Sequence, residues 1–271
     1  MVNMSDPVKI LFSIPVHENS LVVENLIQNI QKYVKHPIVV LHANASFTDF
    51  DETISQRYSN VYVNPTRFNY VKFTSTLGIL ASNFHFSEHI EYDYHCIFHS
   101  NMMFIKHGIE DYYKGTDASY YSYEMKDEQR STIMCENSNI LSLISKDEVL
   151  NNFAEGTHCK KEIFKSLIKW VEQYESFLTW PHGHIEEVVI PTLCYALSDE
   201  TKMVRSALAI CANAGDYEGG PSIEKVKEFL VKDSQSSNQE GEMLDTNNVF
   251  FIKRVRRGLD DPLRKFINEL P

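Results

Sequence analysis

Within its first 44 residues the chain spells a strand, a helix and a second strand, and that order leaves few folds open. "VKILFSIPVH" (8–17) is a continuous apolar run closed by Pro15 and a polar turn, the pattern of a strand buried on both faces. "SLVVENLIQNIQKYV" (20–34) has apolar residues at helical spacing, with Asn19 or Ser20 placed to cap it. "HPIVVLHAN" (36–44) is the second strand. A helix between two adjacent strands of this kind makes a parallel, right-handed βαβ unit.

The alternation continues. A helical segment near 49–58 precedes a short strand, "NVYVNP", and a helix, "FTSTLGILASNFHF"; "YDYHCIFHSNMMFI" (92–105) reads as one more buried strand with its exit loop. The chain is thus predicted to be α/β, a doubly wound and mostly parallel sheet flanked by helices. Later segments are less regular. Residues 119–146 read as short strands and loops, and "KKEIFKSLIKWVEQYESFL" as an amphipathic helix. "EEVVIPTLCYAL" (186–197) reads as a helix with Pro191 near its tolerant first turn, a strand being the alternative. Residues 233–248 are polar and unpatterned, a predicted mobile loop, and "VFFIKRV" is a short strand. With neither repeat nor linker, a single domain over 1–271 is expected.

The net charge of -11 argues against a nucleic-acid partner. The basic stretch "FFIKRVRRGLDDPLRK" (250–265) stands out against it, either as a phosphate site or as a solvated helix end. Five cysteines, at 96, 135, 159, 194 and 211, have no regular spacing and read as reduced thiols of a cytoplasmic protein. The N-terminal residues form neither a signal peptide nor a membrane span, so a soluble protein is expected, with peripheral membrane contact left open.

No glycine-rich phosphate loop and no nucleophile elbow is present. The strand exit "HSNMMF" has no carboxylate to hold a divalent ion. His182 and His184 could face one zinc ion if they lay on a strand. Glu186 and Glu187 suit a helix start through its dipole as readily as they suit chemistry.

Several blocks, in order, resemble the core-2/I-branching β-1,6-N-acetylglucosaminyltransferase family, whose fold is of the GT-A type. They are "ILFSIPVHENSLVVENLIQNIQKYVKHPIVVLHANAS", "NVYVNPTRFNYVKFTSTLGILASNF", "YDYHCIFHSNMMFIK", "HIEEVVIPTL" and "VFFIKRV". Three departures stand out. Asn44 replaces an acid that meets the nucleoside, a Trp-Gly pair is missing, and Met102 replaces an exit-loop Asp. The resemblance implies a short bacterial or viral relative, an inverting glycosyltransferase that forms a β linkage in polysaccharide biosynthesis.

In that reading 1–110 form a nucleotide-binding half and 111–271 an acceptor and catalytic half, Glu187 is the general base, and Lys253, Arg254 and Arg256 neutralise the diphosphate. His17, Asn44 and Arg67 line the donor side; Asn101, Glu155 and Glu186 line the acceptor side. No cofactor and no metal is expected beyond a nucleoside-diphosphate sugar, taken as UDP-linked, and the acceptor is a glycan or a lipid-linked saccharide. Two other classes are compatible with the residues: a metal-dependent hydrolase centred on His182, His184, Glu186 and Glu187, and a sugar-nucleotide-binding module without turnover.

Overall fold

The computed structural model describes residues 7–17, 19–68, 76–120, 154–173, 186–209, 220–231 and 248–271. Strand β1 (Ile10–Val16) is buried along its whole length. It pairs in parallel with β2 (Pro37–Ala43) on one side and β4 (Tyr94–Ile97) on the other. A strand covered on both faces has no polar side to show, which is why its sequence is an unbroken apolar run. Helix α1 (Ser20–Tyr33) joins β1 to β2, and the Asn19 side chain caps it by accepting from the Leu21 N–H at 2.8 Å. Its Val23, Leu26, Ile27, Ile30 and Tyr33 recur at helical spacing and enter the same core as β1.

The short α2 (Ile54–Arg57) leads to β3 (Val61–Val63), parallel to β2. Helix α3 (Thr76–Ser87) then returns the chain to β4. A buried polar chain ties α3 to the sheet. Asn83 donates to Ser13 Oγ at 2.9 Å, and Asn64 donates to Asn83 Oδ1 at 3.0 Å.

Beyond β4 the pairing turns antiparallel, to β7 (His158–Lys160) and then β6 (Ala118–Tyr120), with β8 (Met203–Arg205) parallel to β6 at the edge. The seven strands run β3-β2-β1-β4-β7-β6-β8. The architecture is therefore α/β with a mostly parallel sheet flanked by helices, as the strand–helix alternation predicts. The apolar run at 92–105 is not one strand. It divides into β4 and β5 (Met102–Phe104), and β5 belongs to a second sheet with β10 (Phe251–Lys253) and β9 (Leu208–Ala209), in the order β5-β10-β9.

Aromatic packing joins the two sheets. Phe12 of β1, Phe98 beyond β4, Phe104 of β5 and Phe251 of β10 form a cluster whose neighbouring ring centroids lie 5.2–5.7 Å apart. Each such ring contributes roughly 1.5–3 kcal/mol by leaving water. Strand β5 has a free edge, and Asn29 of α1 closes it. The amide accepts from the Phe104 N–H at 2.7 Å and donates to the Phe104 carbonyl at 3.0 Å, as a neighbouring strand would.

The remaining helices are α4 (Ile109–Tyr113), α5 (Lys161–Glu172), α6 (Glu186–Leu197), α7 (Ile223–Leu230) and α8 (Pro262–Glu269). Residues 186–197 are helical as preferred, but Pro191 lies inside the helix rather than in its first turn. It has no N–H to offer the carbonyl of Glu187, four residues earlier. The predicted loop falls almost wholly on residues 232–247, outside the described residues, as do Cys135 and Cys211 and most of 119–146. Among the described residues, no helix is long and apolar enough to cross a membrane.

Candidate functional site

In an open parallel sheet, ligands collect outside the carboxyl ends of the strands, where the direction of winding reverses. Here that point lies between β1 and β4. From β1 the chain winds outward to β2 and β3, then returns to place β4 on the other side of β1. The exits of β1, β2 and β4 deliver His17, Asn44 and the turn His99–Ser100–Asn101 to this edge.

A carboxylate reaches the β4 exit from more than fifty residues away. The turn carrying Glu155 is fastened to β4 through its backbone: Gly156 N–H donates to the Ile97 carbonyl at 2.7 Å, and Ile97 N–H donates to the Thr157 carbonyl at 3.0 Å. Gly156 has φ +79°, and a Cβ there would stand 2.9 Å from both Leu208 and Phe251, so conformation and space both demand glycine. Held this way, Glu155 Oε1 lies 2.6 Å from Lys253 Nζ and 3.4 Å from His99 Nδ1. All three side chains are at most 16% exposed. Burial pushes the Glu155 carboxyl upward, but the charges of His99 and Lys253 outweigh it and hold the group at about 2. Glu155 is therefore ionised and a weak proton acceptor, a partner for cations rather than a base.

The basic segment is stapled over this turn. Val255 N–H donates to the Asn101 carbonyl at 2.9 Å, and Arg257 Nε donates to Ser100 Oγ at 3.3 Å. Arg254 has φ +71°, the single non-glycine residue in the left-handed region among those described. Gly220 permits the strained turn, since a Cβ there would meet the Arg254 carbonyl oxygen at 2.4 Å. Backbone strain in a bulky residue persists only where the surroundings enforce it, and it gathers at functional sites.

The sequence reading treats 250–265 as one basic run, but the fold divides it. Arg264 is fully buried and structural: its guanidinium donates to the carbonyls of Arg256 (3.1 Å) and Ser100 (3.3 Å) and to Asn25 Oδ1 (2.8 Å). Lys253 and Arg254 are half-buried beside the β4 exit, whereas Arg256 and Arg257 are exposed.

Of the other predicted residues, His17 is exposed at the end of β1. Asn44 serves its own turn, its side chain accepting from the Ser46 N–H at 3.1 Å. Arg67 donates to the Phe47 carbonyl at 3.3 Å and pairs with Glu52, so it braces the loops beyond β2 and β3. Glu186 is buried and Glu187 half-buried in the first turn of α6. That helix packs Val189 and Ile190 into one cluster with Ile97 and Ala154, whose chain neighbours build the β4-exit site. His182 and His184 lie outside the described residues. Met102 is core: it is fully buried and its sulfur accepts from the His99 N–H at 3.3 Å.

Sequence reasoning missed His99, because the exit loop was searched for carboxylates only. Among the described residues, no group of three or more His, Cys, Asp and Glu could hold a metal ion. The carboxylate nearest the exit is already spent on the Lys253 ammonium, and a divalent ion there would have to displace that charge.

No family model matches the chain, and no curated relative matches it. Among solved structures, the mannosyltransferase PcManGT from Pyrobaculum calidifontis, in complex with GDP-Man and Mn2+, is similar with a TM-score of 0.37 and 10% identity. The match covers 59% of this chain and 46% of that one, so this chain spans less than half the length of its solved counterpart. At that level the likeness concerns architecture alone. It does correct one expectation, that of a UDP-linked donor with no cofactor: that structure holds GDP-Man together with Mn2+. The metal-free part of that expectation was drawn from a single loop lacking carboxylates.

Proposed function

We propose that this chain is a glycosyltransferase that takes a sugar from a nucleoside diphosphate and delivers it, with inversion, to a hydroxyl of a glycan or a lipid-linked saccharide. The observation that carries the reading is the Glu155–His99–Lys253 cluster at the carboxyl end of β4, with Arg254 fixed beside it in a strained conformation. Cations held by a buried carboxylate at a strand exit suit an anion whose charge grows as a bond breaks. Glu155 keeps Lys253 in place, and Lys253 and Arg254 face the diphosphate.

In the transfer step the acceptor oxygen bonds to the anomeric carbon as the bond from that carbon to the diphosphate oxygen breaks. The electron pair leaves on the diphosphate. The acceptor proton passes to a carboxylate, for which Glu187 is the candidate. It stands half-buried at a helix start, and the resemblance assigns it that part. Glu155, held ionised at about 2, is the poorer base. Glu186 and Asn101 belong to the acceptor side in this reading.

The test is Glu187→Gln, assayed for transfer from a panel of nucleoside-diphosphate sugars, with and without Mn2+, and for donor binding by calorimetry. Transfer should fall by about 10²–10⁴-fold while binding persists. Transfer at the wild-type rate in Glu187→Gln would remove Glu187 from the chemistry, and absence of any nucleotide binding by wild type would remove the reading itself.

A further inference from the structure

Phe68 is 39% exposed at the carboxyl-end edge of the sheet, one of five large hydrophobic side chains on the described surface. It is held firmly for an exposed ring. Its N–H donates to His42 Nε2 at 3.3 Å, and its carbonyl accepts from the Ala45 N–H at 2.8 Å. The ring lies nearly parallel to the His42 imidazole, with centroids 5.2 Å apart and planes 10° apart. His42 is buried in β2, opposite Pro15 of β1. Because its Nε2 accepts a hydrogen bond, it is the neutral imidazole, and burial together with Arg67 favours that form. One face of Phe68 is thus fixed against a neutral ring, and the remaining surface is open to water.

We infer that Phe68, backed by His42, is the stacking platform for the nucleobase of the donor. The inference rests on the proposed function and adds to it the residue that meets the base. Three observations favour a flat heteroaromatic ring over a general apolar partner. Among the described residues, the exposed apolar area here is a single ring at an edge lined by polar groups, Asn44 and Arg67 among them. It stacks on His42 of β2, two strand positions from β4, at whose exit Lys253 stands. Two strand spacings come to ~10 Å, the scale on which a nucleoside diphosphate separates its base from its terminal phosphate. Finally, the backbone of Phe68 is hydrogen-bonded through both N–H and carbonyl and its ring stacks on His42, so a stacked base has less left to order.

Stacking accepts any base, because every base has a π face. Phe68 therefore sets affinity for the nucleoside end, and the choice among bases falls to hydrogen-bonding groups around it.

The experiment titrates GDP, UDP and inorganic pyrophosphate into wild type, Phe68→Ala and Phe68→Tyr, with melting curves confirming that each variant is folded. Phe68→Ala should weaken both nucleotides by about tenfold or more, as loss of base–aromatic stacking does. Pyrophosphate affinity should not change, and Phe68→Tyr should bind like wild type. Unchanged nucleotide binding in Phe68→Ala would overturn the platform while leaving the proposed function intact. Equal weakening of pyrophosphate would overturn it too, by showing that Phe68 only supports the loop. Failure of wild type to bind either nucleotide would overturn the proposed function and the platform with it.

Discussion

The edge beyond β1–β3 and the edge beyond β4 sit side by side, yet they treat buried polarity in opposite ways. In the first, polar groups are mostly neutral and bonded to one another: Ser13, Asn83 and Asn64 form one chain, and His42 Nε2 accepts from the Phe68 backbone while its Nδ1 is buried without a partner among the described residues. In the second, opposite charges are gathered under cover, with Glu155 between Lys253 and His99. Neutral networks fix shape at small electrostatic cost, whereas a buried ion pair is a poor stabiliser relative to apolar packing. Charge at the first edge is confined to the Arg67–Glu52 pair on its loops, whereas at the second it lies under cover. In the proposed function the first side meets a ring and the second an anion.

The division can be broken first on the structural side. Asn29→Leu removes the amide that closes the β5 edge and leaves the Phe104 N–H and carbonyl buried without partners. At about 1–3 kcal/mol for each of the two orphaned groups, the loss should be about 2–6 kcal/mol, measured by urea unfolding. Nucleotide affinity of the folded fraction should not move. A loss below about 0.5 kcal/mol, the level of an ordinary surface change, would show that the edge finds other partners.

Acidification sharpens the contrast. Burial holds His42 near 4 and His95 near 3, both below the ordinary value of about 6.5. Below that value the unfolded chain takes up protons that the folded rings refuse. Stability from these groups is therefore complete above about pH 6.5 and is lost as pH falls toward 4. Between pH 7 and pH 5 each ring should cost about 2 kcal/mol. Glu155, held down near 2, keeps its charge throughout that interval, so anion binding by the surviving folded protein should persist to pH 5. A flat stability profile would contradict the neutral rings.

What the sequence could reveal follows the same line. Strands β1 and β2 and helix α1 end within two residues of their predicted limits, because an all-buried strand must be an apolar run and a one-sided helix must repeat at 3.6. The split of 92–105 into two sheets was hidden. Tyr94–Ile97 and Met102–Phe104 are both wholly buried, and only their long-range backbone partners, β1 and β7 for the one and β10 for the other, assign them to different sheets. The site was legible in pieces. Lys253 and Arg254 were named for the diphosphate and Glu155 and Asn101 for the acceptor, but a carboxylate arriving from residue 155 to meet His99 and Lys253 is a long-range event that no local pattern records. Asn44 and Arg67, chosen as donor contacts, also hold their own loops.

The smallest effect on stability falls on Arg254, and it bears most directly on the claim that the β4 exit is built for a diphosphate. Its φ of +71° costs an arginine about 1 kcal/mol or more that glycine does not incur. Arg254→Gly should accordingly be about 1 kcal/mol more stable than Arg254→Ala, since both lack the side chain and only the alanine keeps the strain. The decisive measurement is calorimetric titration of GDP and of guanosine into wild type and Arg254→Gly. The account predicts that Arg254→Gly binds GDP at least tenfold more weakly and guanosine as wild type does. Equal affinity for GDP in the two proteins, or equal weakening of GDP and guanosine, would contradict it.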